Sequence, residues 1–343
     1  MSVNVHGTNG ITFNDNTTQA TSPFAGGLGF RNRISNGAMV IDQRNAGAAV
    51  TTSGAFPVDR MRIANSSDGA FSAQQDSSAP AGFINSVKVT TTTADATLTT
   101  SQNLQFTQRI EGTNVTDLGW GTASAEPVTL SFWVRSSLTG TFGGSLRNSG
   151  GTRSYPYTYT ISVADTWEYK TVTVEGDTTG TWLTTTGIGL IVFFGLGAGP
   201  DISGTAGAWN SNNNVSATGA VSVIGTLNAT WYITGVQLEK GSTATSFDYR
   251  PYGTELQLCQ RYYEVAFEGL AAATNVMLGS YAVSPGGSAG SVWFKQTKRA
   301  IPTVSAGAGS TAADQISQNH YSIFGGVNTY ARLYTPVTFS SEL

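Results

Sequence analysis

Several kinds of residue are scarce in this sequence, and each shortage narrows what the chain can be. Cys259 is the single cysteine among 343 residues, so no disulfide and no multi-cysteine zinc site can form within one chain. The two histidines, His6 and His320, stand near opposite ends of the sequence and do not suggest a shared catalytic pair. The acidic residues are scattered singly, so we expect a chain that is not an enzyme.

Charged residues are scarce as well. Asp, Glu, Lys and Arg make up 11% of the chain, against roughly a quarter in an average soluble protein. The formal net charge is −3 and the sequence has no basic block, which argues against nucleic-acid binding. Exposed helical faces normally carry many charges, so the shortage favours strands with Thr-rich outer faces.

Long apolar runs are also missing. The longest, residues 188–199, is far shorter than the roughly 20 residues that a membrane-spanning helix needs, so we expect no membrane insertion. The first residues show no basic segment followed by an apolar one, so no secretory signal is expected. What the sequence has in abundance is glycine, with 41 residues, which together with Ser, Thr and Asn is typical of turns.

Short segments of alternating apolar and polar residues run from about residue 30 to about residue 239. Every second residue is apolar in residues 128–134, and the same alternation occurs in residues 104–110 and 157–163. This pattern predicts half-buried antiparallel strands and therefore an all-β sandwich. Residues 167–174 continue it with a slip of one position, which predicts a β-bulge.

The patterns divide the chain into three regions. Residues 1–30 are polar, Gly-rich and too poor in apolar residues to close a core, so we expect an extended segment that attaches to a partner. Residues 31–250 are predicted to form the sandwich, and residues 251–343 a smaller C-terminal β-rich domain in which Thr254 caps a short helix. So small a domain would leave apolar surface exposed, so we predict a homotrimer.

Three stretches resemble segments of bacteriophage tail and appendage proteins. GITFNDNTTQAT (residues 10–21) is similar to the G-ITF-DGT-Q-T segment of many tail fibre and collar proteins. RISNGAMVIDQRN (residues 33–45), followed by VDR (residues 58–60), resembles the NG-M-IDQRN and VDRW opening of a jelly-roll unit in phage tail proteins. The most specific stretch, VQLEKGSTATSFDYRPYGTELQLCQRYYE (residues 236–264), is similar to the VQLE-GS-AT-FEYRPYG-EL-LCQRYYE junction of the same proteins.

Two positions depart from the family pattern, with Asn16 in place of Gly and Met61 in place of Trp. The resemblance implies a structural virion subunit, usually a homotrimer, whose jelly roll is similar to carbohydrate-binding sandwiches. It implies a tail fibre that attaches to a host surface glycan, joins other virion proteins through residues 1–30 and is made in the bacterial cytoplasm. No cofactor is implied. A capsid-decorating or head-fibre protein and a stand-alone carbohydrate-binding module are the alternatives.

Aromatic side chains in loops are the predicted glycan contacts, because their faces stack on the C–H surfaces of sugars. Trp209 is expected to be the most exposed, since residues 195–219 are predicted to form an exposed loop at one end of the sandwich. Trp182, Trp120 and Tyr155 are the next candidates, and packing within the domain is the alternative role for each. The tryptophans on strands are instead expected in the core, and these are Trp133, Trp167 and Trp231.

The junction near residue 250 combines arginines with tyrosines, which are enriched in interface cores. We expect a contact between domains or between subunits there, formed by Arg250, Tyr252, Arg261, Tyr262 and Tyr263. Asp42, Asp59 and Asp248 lie near strand ends and are expected to cap turns. A structural cation held by their oxygens is the alternative, and the sequence alone assigns no metal.

Overall fold

The computed structural model describes residues 31–267 without interruption, and it also describes residues 4–6, 10–12, 18–19, 275–277, 281–283, 287–306, 310, 313–325, 332–334 and 337–343. Regular structure in these residues is almost entirely β, which confirms the predicted all-β class. Three short strands come first and pair antiparallel in chain order: β1 (Asn4–His6), β2 (Gly10–Thr12) and β3 (Thr18–Gln19). They belong to the predicted attachment segment, the rest of which lies outside the described residues.

The strands of the central region follow the alternating segments of the sequence. In chain order they are β4 (Arg62–Asn65), β5 (Ala70–Asp76), β6 (Ser86–Thr93), β7 (Asn103–Glu111), β8 (Val128–Ser136), β9 (Gly140–Arg147), β10 (Ser154–Ile161), β11 (Glu168–Val174), β12 (Ile188–Ala198), β13 (Ser203–Gly204), β14 (Ser216–Ala217) and β15 (Thr230–Lys240). Short 3-10 turns occupy Gly112–Asn114, Thr116–Leu118 and Pro200–Ile202.

Ten of these strands form two five-stranded antiparallel sheets. Sheet A has the order β10-β9-β12-β7-β4, and sheet B has the order β11-β8-β15-β6-β5. In each sheet a late strand is inserted between two earlier ones, β12 between β9 and β7 and β15 between β8 and β6. These long returns between sheets produce the predicted jelly-roll sandwich.

The core lies between the inner faces of the two sheets. In β8, Val128 and every second residue to Val134 are fully buried, because successive side chains of a strand point to opposite faces. Aromatic rings then close the space between sheets: Phe132 of sheet B lies 5.0 Å from Phe194 of sheet A, between ring centres. Burying each such side chain stabilises the fold by about 1.5–3 kcal/mol, so the core is the main source of stability.

The predicted bulge in residues 167–174 is wrong. Strand β11 pairs with β8 from Glu168 to Val174 without a register shift. Trp167 precedes the strand, Tyr169 lies on its outer face, and Val172 and Val174 lie on its inner face. The apparent slip is therefore a change of face along a regular strand. The register shifts that the structure shows in sheet B lie instead in β15, between Thr234 and Gln237, and in β5, between Ala70 and Phe71.

The prediction of an exposed loop at residues 195–219 is wrong for much of that range. Strand β12 continues to Ala198, and the chain then folds back over the outer face of sheet A. Ile202 and Val215 are buried there against Phe193. A Cβ on Gly195 would lie 2.5 Å from the Ser216 hydroxyl, so glycine is what permits this close approach.

The helix α1 (Tyr252–Gln260) begins two residues before the predicted cap, with Pro251 at its N-cap and no side-chain cap, so the prediction for Thr254 is wrong. The remaining strands are β16 (Tyr263–Ala266), β17 (Asn275–Met277), β18 (Tyr281–Val283), β19 (Gly287–Trp293), β20 (Thr303–Ser305), β21 (Ala313–Ile316), β22 (His320–Gly325), β23 (Arg332–Tyr334) and β24 (Val337–Ser340). They form sheets β16-β24-β20, β17-β23 and β18-β19-β22-β21. No helix in the described part of the chain is long and apolar enough to cross a membrane.

Candidate functional site

A groove of about 530 Å³ runs along the outer face of sheet B, and we call it the face groove. Strands β8 and β11 supply its floor, and the segment after β15 supplies one wall. Its lining residues are Phe83, Ser131, Trp133, Tyr169, Thr171, Gly235, Ala244, Thr245, Ser246 and Phe247.

The floor of the face groove consists of two adjacent cross-strand pairs. Trp133 and Tyr169 stand opposite each other, with ring centres 5.4 Å apart and planes inclined by 48°. Tyr169 is 44% exposed and Trp133 is half-buried, so both rings are open to solvent. The next pair on the same face is Ser131 with Thr171, whose hydroxyls have no bonding partner in the described chain. An aromatic platform therefore adjoins two hydroxyl groups.

Two outward side chains of β15 hold the segment that forms one wall. The Glu239 carboxylate accepts hydrogen bonds from the backbone N–H of Thr245 at 2.8 Å and from its hydroxyl at 2.7 Å. The Gln237 carboxamide donates to the Ser246 carbonyl at 3.3 Å and accepts from the backbone N–H of Asp248 at 2.8 Å. The wall is therefore built by the stretch whose sequence resembles the phage junction.

Phe83 lies over β15, on the same side of the groove as Phe247, and is held from three sides. Its ring centre lies 5.1 Å from that of Phe247 and 5.5 Å from that of Tyr249. Gly235 lies beneath it with a φ of 61°, and a Cβ at that position would come within 2.6 Å of the Phe83 ring and 3.1 Å of Trp133. Glycine at the bulge of β15 therefore makes room for both rings.

The lining of the face groove limits its chemistry. None of its ten residues carries a charge, so the lining supplies no carboxylate or imidazole for acid–base catalysis. Aromatic faces and hydroxyl groups instead suit a ligand that has both apolar C–H surface and hydroxyls. The arrangement can bind such a ligand and orient it along the strands.

The four aromatics that the sequence nominates come together at one end of the sandwich, where the loops connecting the two sheets meet, although Tyr155 lies on strand β10 and its predicted loop position is wrong. We call this group the end cluster. The ring centre of Trp120 lies 4.7 Å from that of Trp182 and 5.2 Å from that of Trp209. Trp209 also lies 5.4 Å from Trp182 and 5.3 Å from Tyr155. All four contacts are edge-to-face, so the rings pack against one another.

The indole N–H groups of the end cluster already donate hydrogen bonds within the chain. The indole N–H of Trp120 donates to the Glu126 carbonyl and that of Trp209 to the Glu175 carbonyl, each at 2.7 Å. Trp120 is 8% exposed and belongs to the main core, while Trp182 and Trp209 are half-buried against it. Trp209, the one expected to be the most exposed of the four, is thus only partly exposed. A cleft of about 160 Å³ opens beside Trp120 and Trp182.

An ion pair supports the end cluster from below. Arg153 donates two hydrogen bonds of 2.7 Å to the buried carboxylate of Asp177. The indole N–H of Trp182 approaches the same carboxylate at 3.3 Å. Burial acts to raise the pKa of Asp177, but the hydrogen bonds from Arg153 and Thr179 outweigh it and hold this pKa below its ordinary value.

The face groove is not predicted from the sequence, although the alternation of residues in β8 indicates part of it. The alternation in β8 that buries Phe132 places Trp133 on the opposite face, so the expectation of a core position for Trp133 is wrong. Trp167 is half-buried and outside the main core, whereas Trp231 is fully buried there as expected. The pairing of Trp133 with Tyr169 and the approach of Phe83 depend on register and tertiary contacts.

Arg261 and Tyr262 join the end of α1 to sheet A. Arg261 donates to the buried carboxylate of Glu111 at 2.6 and 2.9 Å, and the Tyr262 hydroxyl donates to it at 2.9 Å. Arg60 lies over the Tyr262 ring, 3.5 Å from its centre. Burial raises the pKa of Tyr262 to about 12. These contacts tie the sandwich to the C-terminal residues.

Of the other three residues predicted for an interface, two make contacts and one is exposed. Arg250 pairs with Glu255 at 3.3 Å, and the guanidinium of Arg44 lies 3.6 Å from the centre of the Tyr263 ring. Tyr252 is 62% exposed. Four of the five predicted residues therefore lie where the sandwich meets the chain that follows it.

The three aspartates considered as caps or cation ligands act as hydrogen-bond acceptors. Asp42 accepts from two backbone N–H groups of the next turn at 2.9 and 2.7 Å, and Asp248 accepts from two near residue 31 at 2.9 and 3.2 Å. Asp59 pairs with Arg44 at 3.1 Å, and burial raises the pKa of Asp59 to about 6 although Arg44 acts in the opposite direction. The described residues contain no group of three potential metal ligands.

No protein-family model and no curated protein matches this chain. Among solved structures, the enzymatically active domain of tailspike protein 4 from bacteriophage CBA120 is 14% identical, with a TM-score of 0.32 over 61% of this chain and 21% of that chain. A putative sugar-binding protein from Bacteroides thetaiotaomicron is 14% identical, with a TM-score of 0.35 over 61% of this chain and 100% of that chain. A family 11 carbohydrate-binding module from Clostridium thermocellum is 13% identical, with a TM-score of 0.28 over 59% of this chain and 100% of that chain.

These similarities are loose. The matched region spans about a fifth of the tailspike chain, and the TM-scores stay well below the level at which a shared fold carries functional meaning. The function of this chain therefore has to be argued from its own residues.

Proposed function

We propose that this chain is a non-catalytic, glycan-binding subunit of a bacteriophage tail appendage that attaches the virion to the host surface. The face groove carries the binding part of this proposal. Its Trp133–Tyr169 platform can stack on the C–H face of a sugar ring, while the exposed Thr171 offers a hydroxyl for the ring substituents and Ser131, 2% exposed, lies deeper in the floor. The uncharged lining favours neutral sugars at this site.

The virion part of the proposal is supported by the resemblance of three stretches to phage appendage proteins. The most specific of them, residues 236–264, contains Gln237 and Glu239, which hold the groove wall, and Arg261 and Tyr262, which anchor the C-terminal residues. The residues that resemble the family thus stabilise the proposed binding site and the junction that follows it.

Substitution of the platform tests the binding role. Trp133→Ala is expected to weaken binding to polysaccharide extracted from the host surface about tenfold, because one stacking face is lost, equivalent to about 1.4 kcal/mol. Trp167→Ala is the matched control, since Trp167 is also half-buried beside sheet B but does not line the groove. Equal binding by both variants and the parent chain in titration calorimetry would remove the groove from the proposal.

Two further measurements test the assembly. We propose a homotrimer, which is supported by the exposure of Trp293 (70%) and Ile301 (65%) in the small C-terminal region. Light scattering that gives a monomer would contradict it.

Immunogold labelling of intact particles is expected at the tail appendage, and labelling around the capsid would favour a decorating or head-fibre protein instead.

A further inference from the structure

Three arginines lie on the outer face of sheet A, on the side of the sandwich away from the face groove, where they flank the part of the face that Ile202 and Val215 cover. Arg109 of β7 and Arg147 of β9 both stand opposite Ile191 of β12, so the three residues form one row across the sheet. Arg62 of β4 stands opposite Thr107, which shares a face with Arg109. Because directly opposed side chains point to the same face, Arg62, Arg109 and Arg147 share this surface, and we call them the arginine strip.

No described Asp or Glu side chain forms an ion pair with the arginine strip, whereas most other arginines of the sandwich and junction do form ion pairs. Arg109 donates to the Leu343 main-chain oxygen at 2.5 Å, and Arg147 donates to the side-chain oxygen of Asn213. No side-chain hydrogen bond of Arg62 occurs within the described residues. Each guanidinium carries five N–H groups, so the strip keeps N–H groups that are unbonded within the described residues, although the Nε–H of Arg147 is among those buried from solvent.

The three charges also act on one another. Burial lowers the pKa of Arg62, and burial together with the charges of Arg62 and Arg60 lowers that of Arg109. Burial and the charge of Arg109 lower the pKa of Arg147 to about 10. The acid that acts on Arg109, Glu342, is already bonded to Arg44 and Arg60. Partly buried like charges repel one another, and a bound anion would relieve this repulsion.

We propose that the arginine strip binds the oxyanion groups, phosphate or carboxylate, of an acidic polysaccharide. The guanidinium fork matches both groups with paired, charge-assisted hydrogen bonds. A nucleic acid is disfavoured because the ring beneath Arg147, Phe193, is buried and cannot stack on a base. The site is separate from the face groove and does not depend on neutral sugars binding there.

Binding assays with defined polymers test the arginine strip. The full chain is titrated with poly(glycerol phosphate) teichoic acid, polygalacturonate, neutral dextran and a duplex DNA oligonucleotide. We expect binding to at least one acidic polymer, weakened by added salt, and the polymer that binds tells phosphate from carboxylate. Arg62→Gln should weaken this binding about tenfold, since a charged hydrogen bond is lost. Arg33→Gln, which removes an exposed charge paired with Asp117, should change it less than twofold.

Three results would overturn the proposal. They are failure of both acidic polymers to bind, equal weakening by Arg62→Gln and Arg33→Gln, and binding of DNA as tight as that of the best polymer. Trp133→Ala separates this site from the face groove, because that variant should keep full affinity for the acidic polymer. Loss of acidic-polymer binding in Trp133→Ala would place the ligand in the groove and also contradict the arginine strip.

Discussion

The end cluster and the face groove are both built from tryptophan and tyrosine, but they use their rings in opposite ways. In the end cluster, Trp120, Trp182 and Trp209 pack edge-to-face, and their indole N–H groups are bonded within the chain. In the face groove, Trp133 and Tyr169 form a single ring pair across two strands and line open space. The first group closes the end of a core, and the second leaves a surface for a ligand.

This difference shows that a loop position does not make an aromatic side chain available, and that a strand position does not bury it. The loops at the end of the sandwich cross between the two sheets, so their aromatics cover the core beneath them. Trp133 lies on a strand whose outer face, at the groove, is not covered by any of the residues that the structure describes. Availability therefore depends on which face of the sandwich another segment covers.

Trp120→Ala should give the largest effect. Trp120 is part of the main core, so its removal should lower the free energy of unfolding by about 3–5 kcal/mol, measured by urea denaturation. Trp167→Ala should cost clearly less. A stable Trp120→Ala protein that has lost glycan binding would break the comparison, because the end cluster would then be a ligand site.

Acid should weaken the end cluster more than the face groove. The folded-state pKa of Asp177 is depressed, so its ion pair with Arg153 contributes stability above the unfolded pKa of about 3.9 and loses it as the pH falls further. Asp177→Asn should therefore cost about 1–3 kcal/mol at pH 7 and much less at pH 3. The groove lining has no titrating carboxylate, so its glycan affinity should stay flat between pH 5 and 8. A cost of Asp177→Asn that does not change with pH would contradict the assignment.

Gly235→Ala should close the face groove at a modest cost in stability. The new Cβ would displace Phe83 and strain a backbone with a φ of 61°, so we expect a loss of about 1–2 kcal/mol and several-fold weaker glycan binding. Gly207→Ala is the matched control, because Gly207 also has a positive φ but nothing lies within 4 Å of its Cβ position. Gly207→Ala should lose stability and keep its glycan affinity. Weaker glycan binding by Gly207→Ala together with unchanged binding by Gly235→Ala would exclude a role for Phe83.

Tyr169→Ala should have the smallest effect. Tyr169 is exposed on an edge strand, so its loss should change stability by less than about 1 kcal/mol and weaken glycan binding about threefold in titration calorimetry. A large drop in stability with unchanged affinity would mean that the ring supports the sheet and does not contact the ligand.

Much of the fold could be predicted from the sequence because it depends on local patterns. The alternation through Phe132 gives the inner face of β8, and the punctuation by Gly and Asn gives the succession of strands. The sites depend on contacts between distant residues. Phe83 meets Gly235, and Arg62, Arg109 and Arg147 share a face, only after two sheets form in one register. Pairing of this kind has no signal within a short window of sequence.

The central claim is that the ligand binds at Trp133 and not at the end cluster. The most direct measurement labels the seven tryptophans with 5-fluorotryptophan, assigns each fluorine resonance by single substitution to Phe, and titrates host surface polysaccharide. Binding in the face groove predicts a shift of the Trp133 resonance, with those of Trp120, Trp182 and Trp209 unmoved. Shifts of Trp182 and Trp209 with Trp133 unmoved would contradict the account and move the glycan site to the end of the sandwich.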